Sequence, residues 1–192
     1  MKSLQVLPDG YKEIFTVNLQ NNKKTALLIN VFAIIISIAM IIPMHFYIPI
    51  TSLFDMSQGI KSYIIRFIML MIGMIVYMVL HEAVHGFAMK FFGTKNVKYG
   101  FTGLYAYAGS NDYYDKKSYI IIALAPVFVF AIVFIILNLT VPKSWFWVIY
   151  FLQILNISGA TGDLFVTIKF SKMPSDILIH DCGVGMTVYS KE

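Results

Sequence analysis

The chain has 192 residues, of which 58% are hydrophobic and 13% are charged, and its formal net charge is +5. Soluble domains carry about 25% charged residues, so this composition excludes an ordinary soluble protein and indicates an integral membrane protein. The positive charge comes from lysines that flank apolar runs, which is not the pattern of a nucleic-acid-binding surface.

Four stretches of the chain are long and apolar enough to cross a bilayer, which takes about 20 residues of helix. They are Thr25–Ile50, Tyr63–Phe92, Ser118–Val141 and Trp145–Phe170. We therefore expect an all-α integral membrane fold with about four transmembrane helices. The expected organisation is an N-terminal segment at residues 1–24, a four-helix membrane domain at 25–170 and a C-terminal tail at 171–192.

Basic residues outside these stretches are unevenly distributed between the two sides. The N-terminal segment, the loop between the second and third stretches and the tail carry most of them. The opposite side has only Lys61, Arg66 and Lys143. Because short cytoplasmic loops carry the excess of Lys and Arg, this asymmetry predicts a multi-pass cell-membrane protein with both termini and the long loop in the cytoplasm.

That long loop, residues 93–117, contains a loosely alternating segment at 97–108 that is rich in Tyr and Phe, with Gly100 and Gly103 as turn residues. The pattern predicts a short cytoplasmic hairpin between helices two and three, and an aromatic interfacial loop is the alternative. A hairpin would offer an edge strand with which an extended substrate can pair.

An H-E-x-x-H motif, His81-Glu82-Ala83-Val84-His85, lies inside the second apolar stretch. Successive helical residues turn by about 100°, so the two histidines lie about 40° apart on one face. This spacing suits two ligands of one tetrahedral zinc ion, with Glu82 close enough to take a proton from a water molecule at the site. Ionisable groups at membrane depth are costly unless they are paired, so their presence favours a functional site.

A catalytic zinc site usually has three protein ligands, and depth along the helices suggests the third. His85 lies about seven residues, or about 10 Å, before the predicted cytoplasmic end of its helix. Asp163 lies at a similar depth, about 10 Å, in the fourth stretch, which runs in the same direction. An unpaired carboxylate there would be costly, so Asp163 is the predicted third ligand.

Small and polar residues precede Asp163 in the fourth stretch. Asn156 lies on nearly the same helix face, and Gly159 and Gly162 lie between the two. Asn156 and Gly159 are candidate substrate-binding residues. The alternatives are an interhelical hydrogen bond for Asn156 and ordinary close helix packing for the glycines.

Four other residues have a predicted role or environment. Pro126 interrupts the third stretch, where a neighbouring helix or water would satisfy the carbonyl that it frees. His45 is expected at the membrane interface and not at the metal. His180 and Cys182, the single cysteine, are expected in a solvated tail, and one cysteine excludes an internal disulfide.

The H-E-x-x-H motif, followed in the last stretch by Asn156 and Gly159 and then by Asp163, resembles the site-2 protease class of intramembrane zinc metalloproteases. A closer similarity is to a family of small bacterial membrane proteins called putative zincin peptidases. Its motifs occur here in order: Leu7-Pro8-Asp9-Gly10-Tyr11, His81-Glu82-Ala83-Val84-His85-Gly86, Ala125-Pro126, Asn156-Ile157-Ser158-Gly159 and Gly162-Asp163. The resemblance implies that Asp163 completes the zinc site. Unlike site-2 proteases, the chain has no proline in the segment from Asn156 to Leu164, where Ile157 follows Asn156 and Leu164 follows Asp163, and it has no PDZ-like insertion.

The residues and the resemblance together predict a zinc-dependent intramembrane endopeptidase. His81, His85 and Asp163 are the expected Zn²⁺ ligands, and Glu82 is the expected catalytic base. The substrate would be a membrane-embedded or juxtamembrane peptide, unwound because a helix hides its carbonyl groups in hydrogen bonds. Two alternatives are a non-catalytic zinc-binding scaffold or accessory subunit, and a transporter with an intramembrane ion site.

Overall fold

The structure is a computed structural model that describes residues 3–18, 22–103 and 105–191. The helices are α1 (Lys23–Tyr47), α2 (Ile60–Phe91), α3 (Lys116–Thr140), α4 (Phe146–Gly159) and α5 (Thr161–Ser171), with short 3-10 turns at Ile50–Phe54 and Lys143–Trp145. The strands are β1 (Tyr11–Val17), β2 (Lys98–Phe101), β3 (Ala106–Gly109), β4 (Tyr113–Asp115), β5 (Leu178–Asp181) and β6 (Met186–Lys191).

Within the described residues, four helical segments are long and apolar enough to cross a membrane, and this confirms the mostly helical fold expected from the sequence. They are Lys23–Tyr47, Ile60–Phe91, Lys116–Thr140 and Lys143–Ser171. In hydrocarbon a helix satisfies its own backbone groups, which is why long apolar runs adopt this form. The last segment is not one continuous helix. It is divided at Ala160, where Gly159 and Gly162 lower the local helix propensity.

A small antiparallel sheet, absent from the sequence-based expectation, joins the two ends of the described chain. Its strand order is β1-β6-β5-β4, so β6 lies between β1 and β5. The segments before and after the apolar stretches therefore contribute strands. Apolar residues at the start and middle of β5 and in β6, such as Ile179 and Val188, are completely buried, and this burial favours a sheet over a solvated tail.

A separate two-stranded hairpin lies between α2 and α3. β2 and β3 pair antiparallel, with Tyr99 opposite Ala108 and Gly100 opposite Tyr107. The turn includes Gly103, whose φ of +89° is one that glycine adopts without strain. The hairpin thus occurs where the loosely alternating segment was noted, while its position relative to a membrane stays a prediction.

The chain divides into two compact units. The first, the sheet unit, comprises Met1–Ile29, Val79–Pro126 and Gly162–Glu192. The second, the helical unit, comprises Asn30–Met78 and Val127–Thr161. Residues of α2, α3, α5 and the sheet form the buried core of the sheet unit: Val17, Met89, Tyr114, Tyr119, Ile122, Ala123, Val166, Phe170, Ile177, Ile179 and Val188.

Polar contacts inside the helical unit connect its helices and turns. Arg66 on α2 is 1% exposed, and its guanidinium donates hydrogen bonds to the carbonyl oxygens of Asp55 and Ser144. Asp55 lies in the connection between α1 and α2, and Ser144 lies in the connection between α3 and α4. A buried cation needs such partners, so Arg66 fixes both connections to α2.

Candidate metal centre

Three potential metal ligands come together in the sheet unit. His81 and His85 lie one turn apart on α2, both 9% exposed, with ring centroids 4.8 Å apart. Asp163 faces both of them from the first turn of α5. Its Oδ2 is 3.4 Å from His81 Nε2, and its Oδ1 is 3.6 Å from His85 Nε2. The structure therefore brings together the two histidines and the aspartate that the sequence singled out.

The start of α5 favours a carboxylate at this point. Asp163 occupies the first helical turn, where backbone N–H groups lack partners inside the helix. The positive end of the helix dipole lies there as well and stabilises negative charge. A β-carbon on Gly162, directly before Asp163, would meet no heavy atom within 4 Å apart from the chain neighbours and the backbone of its own helix.

The geometry of the three groups fits a zinc ion. With metal–ligand bonds of about 2.0–2.1 Å, a tetrahedral arrangement separates neighbouring ligand atoms by about 3.4 Å. The two measured nitrogen–oxygen distances are 3.4 and 3.6 Å, and the ligand atoms of all three groups lie within 4.8 Å of one another. Two imidazoles and one carboxylate also match a catalytic ligand set that leaves one coordination position open.

The orientation of His85 is fixed by a hydrogen bond on the opposite edge of its ring. Its Nδ1 donates to the backbone carbonyl of Ile122 on α3, at 2.9 Å. A carbonyl can only accept, so Nδ1 carries a proton, and in the neutral ring Nε2 then carries the lone pair. This is the tautomer that a metal ligand bound through Nε2 requires.

Glu82 is linked to the hairpin. Its side chain is half-buried, and its carboxylate lies close enough to the backbone N–H of Ala108 on β3 to interact with it. This contact places the acidic group of the motif beside the outer edge of β3. Glu82 is not part of the three-residue ligand group, so its carboxylate remains available for proton transfer.

A close contact between α2 and the hairpin explains why the residue directly after the H-E-x-x-H motif is a glycine. A β-carbon built on Gly86 would collide with the hydroxyl group and ring of Tyr99 on β2. Only glycine leaves room for the tyrosine there without displacing it. The hairpin is therefore seated on α2 beside His85 through Tyr99 and beside Glu82 through Ala108.

A second acidic group near the ligands was missed by the sequence analysis. Asp181 on β5 is 6% exposed and accepts hydrogen bonds from Tyr119 Oη at 2.6 Å and from the Gly183 N–H at 2.8 Å. Burial raises the pKa of Asp181, although these two bonds partly oppose the shift. Asp181 is near enough to His85 and Asp163 to interact with their charges. Its position depends on the sheet, so no spacing in the sequence indicates it.

The other histidines and the cysteine lie apart from the three ligands. His45 is exposed, and its Nδ1 accepts a hydrogen bond from the Ile50 N–H at 3.2 Å. The expectation of a solvated tail is wrong for His180. It lies half-buried on β5 with its ring 5.2 Å from that of Tyr113, because the tail pairs into the sheet. Cys182 follows β5 and is exposed.

The two candidate substrate-binding residues lie in the helical unit. Asn156 is fully buried, its Oδ1 accepts from Tyr77 Oη, and its Nδ2 donates to the Val127 carbonyl, both at 3.1 Å. These bonds are of the interhelical kind that the sequence left as the alternative. Gly159 is exposed and ends α4. A substrate contact for either residue stays a prediction.

Comparison with known proteins identifies the family. Residues 73–178, more than half of the chain, match the sequence profile of a family described as “Putative zincin peptidase”. A Pyrococcus woesei protein named “Uncharacterized 24.7 kDa protein in gap 5'region” is 35% identical over 122 residues, which cover 61% of this chain and 53% of that protein. The chain thus spans about half the length of this curated relative. No solved structure matches the chain. The matched segment contains His81, Glu82, His85 and Asp163, and the chain belongs to the family of putative zincin peptidases, a description that indicates a zinc metallopeptidase.

Proposed function

We propose that this protein is a zinc-dependent endopeptidase of the cell membrane that cleaves a membrane-embedded or juxtamembrane peptide. The observation that carries the proposal is the convergence of His81, His85 and Asp163 beside the carboxylate of Glu82. All four side chains belong to the sheet unit and are held by helices or by the hairpin. The H-E-x-x-H spacing and the family description support the same assignment.

His81 Nε2, His85 Nε2 and an Asp163 oxygen would hold the metal. When bound, zinc supplies Lewis acidity, which polarises a peptide carbonyl and makes a water molecule acidic near neutral pH. The protein keeps these ligands in place through the His85–Ile122 hydrogen bond and the start of α5. A fixed ligand geometry reduces the reorganisation that catalysis would otherwise require.

Glu82 would act as the general base and then as the general acid. Its carboxylate takes a proton from the attacking water and transfers it to the amine nitrogen that leaves when the peptide bond breaks. The Ala108 N–H lies beside this carboxylate and can interact with its negative charge. Glu82 is not required as a ligand, which favours a catalytic role over that of a scaffold.

The outer edge of β3 would hold the substrate in an extended form. Ala108 uses its N–H to reach Glu82, so this N–H points away from β2. In an antiparallel pair, every second residue directs its backbone N–H and C=O groups away from the partner strand. Thr102 donates its N–H to the Tyr105 carbonyl, so Tyr105 and every second residue after it face β2. The outward residues are therefore Ala106 and Ala108. A peptide paired along this edge would have its backbone next to Glu82.

The four apolar helical segments and the lysine asymmetry support the proposed placement in the membrane. In this arrangement both termini and the hairpin are cytoplasmic. A substrate segment would reach the edge of β3 from the bilayer or from its cytoplasmic surface, after local unwinding exposes its carbonyl groups.

A Glu82→Gln variant tests the proposed function. Glutamine has nearly the same shape and cannot act as a base, so zinc content and thermal stability should match those of the wild type. Turnover should fall by about 10²–10⁴-fold or more, and an uncleaved membrane protein should accumulate in cells. Comparison of the membrane proteomes of the variant and wild-type strains measures this.

The matched comparison is a His81→Ala strain. The peptidase proposal expects both strains to accumulate the same membrane protein. A zinc-binding scaffold instead predicts that Glu82→Gln is silent and that His81→Ala alone has an effect, and this result would replace the peptidase proposal with the scaffold.

A further inference from the structure

Pro126 on α3 lies four residues after Ile122, whose carbonyl oxygen accepts the hydrogen bond from His85. Inside an α-helix the carbonyl of residue i accepts from the N–H of residue i+4. For Ile122 that residue is Pro126, which has no N–H. His85 Nδ1 donates to this same carbonyl, at 2.9 Å. The side chain on α2 thus takes the place of the missing helical donor.

The surroundings make this replacement specific. Pro126 and Ile122 are completely buried or nearly so, which keeps water from serving as the donor. A buried carbonyl without a partner is costly, and the cost is greatest in a non-aqueous environment. The ring of a helical proline also presses against the carbonyl of residue i−4 and tilts it outward. Both effects direct the Ile122 carbonyl toward His85.

We infer that Pro126 is a positioning residue of the metal centre. By removing one N–H, it reserves the Ile122 carbonyl for His85. That bond keeps the proton on Nδ1 and turns Nε2 toward Asp163 Oδ1, which is 3.6 Å away. Partners of this kind on the far edge of a ligand histidine commonly change metal affinity by about 10–100-fold. The inference rests on the proposed zinc site, and it does not depend on the reaction that the site performs.

The substitution Pro126→Ala returns an N–H to α3. The new N–H should bond to the Ile122 carbonyl and compete with His85. Zinc affinity of the purified full-length protein, measured by competition with a chromophoric chelator, should fall by about 10-fold or more. The melting temperature of the metal-free protein should stay equal or rise, because alanine favours a helix and proline does not. Weaker metal binding without a weaker fold distinguishes positioning from a general structural role.

The chain supplies a matched control in Pro43. This residue is also a proline inside an apolar helix, and it is exposed on α1. Pro43→Ala should leave zinc affinity unchanged. An equal loss of affinity in both variants would overturn the inference, because it would point to a general effect of helix straightening.

A second substitution separates the N–H from the stiffness of proline. Pro126→Gly returns the N–H but leaves the backbone flexible. Pro126→Ala and Pro126→Gly should both lose zinc affinity. In both variants, ¹⁵N NMR of histidine-labelled metal-free protein should show His85 leaving the Nδ1–H tautomer. If Pro126→Ala keeps wild-type affinity and the wild-type tautomer, the carbonyl serves both donors and the inference fails. If the wild type itself binds no zinc, the proposed function fails as well, and the two failures are thus distinguishable.

Discussion

The Glu82 carboxylate lies near the Ala108 backbone N–H, which places the H-E-x-x-H helix beside the outer edge of the hairpin. The group proposed to move protons and the strand proposed to hold the substrate are therefore neighbours. A peptide added along β3 would lie beside the carboxylate.

The edge of β3 can be tested without breaking the hairpin. Ala106→Pro removes an N–H that points away from β2, so the pairing of β2 and β3 should persist. Loss of a backbone hydrogen bond to the substrate should lower cleavage about 10-fold, measured as accumulation of the protein that builds up in the Glu82→Gln strain. Zinc content should not change. Ala106→Val keeps the N–H and is the control; equal activity of the two variants would argue against strand pairing.

The ligand set predicts the metal content of single variants. The wild type should carry about one zinc per chain. His81→Ala, His85→Ala and Asp163→Ala should each reduce this content strongly, because each leaves an incomplete coordination shell; elemental analysis of purified protein measures it. His45→Ala is the matched control, since His45 is exposed and should leave the content unchanged. Full occupancy in Asp163→Ala would remove the carboxylate from the ligand set.

The orientation in the membrane can be measured with single cysteines in a Cys182→Ser background. Cysteines at Tyr105 in the hairpin and at Ser175 before β5 should be protected from a membrane-impermeant maleimide in intact cells. Both should react once the membrane is permeabilised. A cysteine at Gln58, between α1 and α2, should react from outside in intact cells. Labelling of position 105 in intact cells would reverse the proposed orientation.

The sheet predicts a dependence of stability on pH through His180. Burial lowers the pKa of His180 below its usual value, the charge of Lys98 lowers it further, and Asp112 opposes them. The unfolded chain therefore binds a proton more readily than the folded one, so the stabilising contribution is present above about pH 6.5 and is lost as the pH falls below it. Between pH 7.5 and 5.5 the melting temperature should fall more for the wild type than for His180→Gln. The difference is expected to be small, because solvent screens a half-exposed ring. Parallel curves for the two proteins would contradict this assignment.

Sequence reasoning could single out the three residues that the structure brings together, because helical spacing and depth are nearly local properties. His81 and His85 follow from a four-residue spacing, and Asp163 follows from counting residues along two helices that run in the same direction. The carbonyl freed by Pro126 could also be foreseen, although its partner could not. That partner, His85, lies 37 residues earlier in the chain and depends on how α2 packs against α3.

The sheet escaped prediction for a different physical reason. Two of its strands are short, with three residues in β4 and four in β5, and the pairs β1–β6 and β4–β5 join segments that are far apart in the sequence. Tyr11 pairs with Lys191, and no pattern near either residue indicates the other. Asp181 was missed for the same reason, since only the sheet buries it against Tyr119.

The position of β6 between β1 and β5 constrains when the protein can mature during synthesis. β1 is translated before all five helices, but the strand with which it pairs, Met186–Lys191, is translated after all of them. Contacts between such distant segments form slowly, because the intervening chain must first be ordered. The unit that holds the three ligands can therefore close only after translation has passed residue 191. In the proposed membrane arrangement, a nascent chain that has inserted its helices would still lack the finished sheet, and this delay would keep an incomplete peptidase from acting on its neighbours in the membrane.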